Sequence, residues 1–87
     1  MSNPVTESCF YKNFTSTTTI SVANIKLLGV FCASTSAGTL KISDGANTVV
    51  NTFSPSAATF YPIPAELQTS LVLTVSGTLD CTAFYSV

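Results

Sequence analysis

The chain has 87 residues, three lysines, no arginine, four carboxylates and no histidine, for a net charge of −1. That is length for one small domain, and 8% charged residues is far below the roughly 25% of ordinary soluble domains. Scattered Lys12, Lys26 and Lys41 exclude a phosphate-tracking nucleic-acid surface and a polybasic membrane surface, and the missing histidine excludes Ser–His and Cys–His nucleophile pairs.

Residues 1–16 read as an N-terminal arm or irregular edge. Phe10, Tyr11 and Phe14 make this stretch too apolar for a free tail, so they are expected to pack on the sheet or on a neighbour. Met1-Ser2-Asn3-Pro4 lacks the basic start and apolar core of a secretory signal. Residues 17–87 read as a single β-domain. In "TTTISVA", Thr18, Ile20 and Val22 share one face and Thr19, Ser21 and Ala23 the other.

The next run, "IKLLGVFCA" (25–33), is almost continuously apolar. A strand with one wet face should alternate, so this one is expected to be covered on both faces, the second cover being another subunit. Leu27 and Phe31 are its interface candidates. Gly29 marks a bulge or a close backbone approach. "STSAG" (34–38) reads as a loop, followed by a hairpin over "GTLKISDGANTVVNTFSP". There Leu40 and Ile42 face the core, and Asp44 to Asn47 form what reads as a four-residue turn. "TFYPIPAEL" is expected to be a short run at an edge or crossover, because Pro62 and Pro64 cannot donate to a central ladder. The prolines and asparagines between residues 45 and 65 also rule out a spanning helix there. "SLVLTVS" places Leu71, Leu73 and Val75 together. "DCTAFYSV" places Cys81, Ala83 and Tyr85 on one face and Phe84 on the other.

The fold expectation is therefore all-β: a small antiparallel β-sandwich or jelly-roll-like barrel of about seven or eight short strands. So weak a charge complement leaves sheet edges poorly protected, and partner chains are the natural cover.

Little chemistry is available. Glu7, Asp44, Glu66 and Asp80 each stand beside turn signals, where acids cap or solvate backbone, so an enzyme is not expected. Asp44 and Asn47 lack the repeated acids of a calcium loop; the plain turn reading is preferred, and no cofactor or metal is assigned. Cys9, Cys32 and Cys81 are odd in number without CxxC spacing, which reads as buried thiols made in a reducing compartment rather than a disulfide framework. Asn13-Phe14-Thr15 matches a glycosylation acceptor, read as chance without a signal peptide. Nine Phe and Tyr residues offer a sugar-stacking platform, but without Trp they read first as core or interface anchors.

The order of these pieces, "NIKLLGVFCAST", then "GTLKISDG", then "LVLTVSGTLDCTAFY", resembles small β-sandwich virion proteins of tailed bacteriophages, over about residues 17–85. The group includes capsid decoration or cement proteins and fibre or tail accessory proteins. The resemblance implies a non-enzymatic protein of the virion, assembled in the host cytoplasm. It implies a homotrimer bound to the major capsid protein or another virion protein, with neither nucleic acid nor membrane as partner. Its interface candidates are Phe10, Tyr11, Phe14, Leu27 and Phe31. A tail fibre, baseplate component or receptor-binding knob is the alternative within that group, and a carbohydrate-binding module the alternative outside it.

Overall fold

A computed structural model describes residues 9–87. Of the expected arm at 1–16, residues 1–8 lie outside them, and Phe10–Phe14 form a strand. Among the described residues six antiparallel strands form one sheet: β1 (Phe10–Phe14), β2 (Thr18–Ile20), β3 (Ile25–Asp44), β4 (Asn47–Phe53), β5 (Thr59–Leu67) and β6 (Leu71–Ser86). The all-β antiparallel expectation holds. The division differs: runs read as separate short strands are joined in two long ones.

β3 and β6 are the spine. They pair from Lys26 opposite Ser86 to Asp44 opposite Leu71. The free edge of β3 takes β5 along its first half and β4 along its second. The free edge of β6 takes β2 along Leu71–Leu73 and β1 along Cys81–Tyr85. Each half of the spine is thus four strands wide.

The spine is bent. Twenty extended residues of β3 would reach roughly 66 Å, whereas the longest axis of the molecule is 41 Å. The bend falls at residues 33–37, which carry register shifts, a left-handed Ala37 (φ 57°) and an exposed surface. "STSAG" was expected to be a loop; it is the curved middle of a strand, since small Ser, Thr and Ala side chains tolerate the bend while the backbone stays paired to β6. Bending brings both ends of β3 to one residue. The N–H of Asn24 donates to the Gln68 carbonyl (3.4 Å), and the Asp44 carboxylate accepts from the Gln68 N–H (3.0 Å).

One apolar cluster fills the inner side: Ile25, Leu27, Val30, Cys32, Leu40 and Ile42 from β3, Leu71, Leu73, Leu79, Cys81 and Ala83 from β6, with Phe14 and Leu67. A bulge at Leu28 explains the apolar run 25–33. Ile25 and Leu27 point in. The pairing then shifts by one residue against both neighbours, and Val30 and Cys32 point in again. Within one chain this strand has one buried and one exposed face, not two covered faces.

Two turns differ from expectation. Asp44 pairs with Asn47, so the β3–β4 loop holds two residues, not four. Of the two loop residues, Gly45 has positive φ (59°) and Ala46 does not, the requirement of a type II′ turn. β5 runs nine residues through both prolines. Backbone donors alternate sides along a strand, so prolines two apart lose theirs on the same side, and an edge strand still pairs through the other.

Candidate functional site

The outward positions of β1, β6, β3 and β5 carry an aromatic row. Tyr11 lies opposite Phe84, Phe84 opposite Gly29, and Phe31 opposite Phe60. These four aromatics sit on four adjacent strands. Tyr11 is 71% exposed, Phe60 48% and Phe31 37%, and Phe84 is partly buried, so the row is open to water. The Phe60 and Phe84 rings are 6.4 Å apart, tilted by 57°, within the range of favourable aromatic contact. Gly29 makes this possible. A methyl there would lie 2.5 Å from Phe60 Cζ and 2.6 Å from the Tyr61 carbonyl oxygen. Phe60 therefore lies down over the glycine and reaches towards Phe84. Leu28, extruded by the bulge, is exposed as well.

A polar border adjoins the row on β1 and β6. The Asn13 amide donates to Asp80 Oδ1 (2.8 Å), to the Cys81 carbonyl (2.9 Å) and to Thr82 Oγ1 (3.3 Å). The sequon Asn13-Phe14-Thr15 thus places its asparagine in a cross-strand clamp and its Phe14 in the core. The opposite side of β1 is apolar at its start. Phe10 stacks on Tyr85 (5.8 Å) and, with Val22 and Val87, lines an open depression of about 200 Å³.

The interface candidates separate cleanly. Phe10, Tyr11 and Phe31 are exposed. Phe14 and Leu27, at 3% and 1% exposure, belong to the core of the single chain and are no surface for a partner. Removing the residues before Thr15 would therefore strip a core side chain and an edge strand, not just a detachable arm. Phe60 and Phe84 complete the face and are not among the interface candidates. Phe84 was legible as the residue facing away from Cys81 and Ala83. Phe60 was hidden by the two prolines that made its strand look short.

The acids stay apart. Asp44 is a staple: its carboxylate accepts N–H bonds from Gln68, Thr69 and Ser70. Those donors, the Gln68 N–H foremost, hold its pKa below the ordinary 3.8 against the opposing cost of desolvation. A carboxylate ringed by N–H donors offers a cation few free lone pairs, so the turn reading of Asp44 and Asn47 fits and a calcium loop does not. Asp80 is held by Asn13, and Glu66 stands across from Lys26 at the β3–β5 edge. Glu7 lies outside the described residues. Among the described residues no three or more Cys, Asp or Glu gather as metal ligands.

Set against protein families, curated proteins and solved structures, the chain matches none.

Proposed function

We propose that this chain is a non-enzymatic assembly module, a virion structural protein of the capsid-decoration type. It binds a repeating protein lattice as a homo-oligomer, a trimer by the resemblance of its sequence, with its bent sheet acting as a small sandwich. The observation that carries the assembly reading is the aromatic row Tyr11–Phe84–Phe31–Phe60, open on one face of a chain with very few charges. Aromatic side chains on a rigid sheet associate at low entropic cost and supply the anchors of protein interfaces. A lattice multiplies many weak contacts into lasting attachment. The location, virion after assembly in the host cytoplasm, and the partner, a capsid or other virion protein, rest on the sequence resemblance alone.

A second reading is favoured by the border of Asn13, Asp80 and Thr82 beside the aromatics, since sugar platforms combine flat rings with fixed polar groups. Absolute mass by light scattering after size exclusion, over a wide concentration range, separates the two. A closed oligomer supports assembly. A monomer at every concentration sinks it, and saturable glycan binding lost in Tyr11→Ala would then establish the sugar platform.

A further inference from the structure

We propose that Cys32 and Cys81 are a built disulfide site: a chain that folds in the presence of a disulfide oxidant closes them into one bridge within the β3–β6 ladder, with no change of fold.

The two residues are cross-strand partners, directly opposite in register, and both are fully buried on the inward face. Directly opposite residues of antiparallel strands have Cα atoms about 4.5–5.5 Å apart, inside the 4.4–6.8 Å that disulfides span. The Cys32 thiol donates to the Ser34 carbonyl (3.5 Å) on its own strand, and Cys81 faces it from β6. Cys9 precedes β1 and is only partly buried, so it stands apart from the pair.

The chemistry balances with a glutathione-type disulfide as oxidant. One cysteine thiolate attacks the oxidant, forms a mixed disulfide and releases one small thiolate. The second cysteine thiolate attacks the protein-bound sulfur, forms the Cys32–Cys81 bond and releases the other. Two protons leave the cysteines, and two electrons end on the oxidant as two thiols.

Once folded, the pair is locked. Burial, with smaller contributions from Cys32 and the Asp80 charge, pushes the Cys81 thiol up to about 12. The thiolate is the attacking species, and neither sulfur meets solvent. The bridge is made while the chain folds or not at all, so the redox state of the mature protein records the compartment in which it folded.

The experiment uses the Cys9→Ser chain, in which only one pair remains. It is denatured, then refolded with oxidised glutathione or with a reductant, and read by intact mass, thiol titration, circular dichroism and Tm. The expected oxidised product is lighter by two hydrogens, has no titratable thiol, keeps the same spectrum and melts higher, as expected for closing a long loop. The native reduced protein in the same oxidant keeps both thiols over the same period. Glutathione adducts in place of a bridge, or a bridged product with an altered spectrum or lower Tm, would overturn the site. Closure of the native protein as fast as the refolding one would overturn the lock.

Discussion

The two halves of the spine share an inner face and differ on the outer one. Around the first half of β3, the outward positions hold Tyr11, Phe31, Phe60 and Phe84. Around the second, the opposed pairs are Thr39 with Ser76, Lys41 with Thr74 and Ser43 with Val72, with Thr19 on the short β2. One apolar cluster runs through both. The hydroxyl half is a wet sheet surface of the usual kind. The aromatic half spends four large side chains where folding a single chain requires none. What separates the halves is therefore chemistry laid on a common frame, and the aromatic face is where the proposed association would sit.

The largest effect comes from breaking what the halves share. Phe14→Ala removes a buried ring from the core and is expected to cost about 3–5 kcal/mol, read by urea denaturation. A small loss would mean that Phe14 is not held in the core. The next effect sets face against face. Tyr11→Ser and Phe60→Ser are each expected to weaken self-association by about five- to thirtyfold, the scale of about 1–2 kcal/mol per anchor. Thr74→Ala and Ser76→Ala should leave it unchanged and move stability by no more than about 0.5 kcal/mol. Equal effects from both sets, measured by sedimentation equilibrium, would erase the distinction.

The smallest effect concerns the staple at the far end of β3. The folded pKa of Asp44 is lowered by N–H donors, so its contribution to stability is complete above the unfolded value near 4. That contribution is lost as pH falls through the lower folded value. Thermal melts are expected to show Tm falling below pH 4, with a shallower fall in Asp44→Asn. Parallel falls in the two proteins would remove Asp44 from the account.

Most of the inward pattern was legible. Leu40 with Ile42, Leu71 with Leu73, and Cys81 with Ala83 are buried pairs at alternate positions, as their spacing required. What the residues could not disclose was continuity. Ser34 to Gly38 has the composition of a loop, and only pairing with a distant β6 keeps it in a strand. The bulge at Leu28 turned an ordinary half-exposed strand into an apparently doubly covered one, because a phase shift of one residue fills the gaps in an alternating pattern. The candidate site was half visible for the same reason. Phe31 and Tyr11 stand out by exposure-prone position, but their convergence with Phe60 and Phe84 depends on strand neighbours far apart in the chain and on the missing side chain of Gly29.

The β3–β6 ladder also sets the order of events in folding. Its least separated rung joins Asp44 to Leu71, and its most separated joins Lys26 to Ser86. Loop closure costs more as the intervening chain lengthens, so zipping starts beside the Asp44 staple and ends where Ser86 meets Lys26. Pairings this non-local belong to folding times of milliseconds to seconds. On the ribosome, β3 emerges well before the strand that completes it, and its apolar side waits for the last-made residues of the ladder.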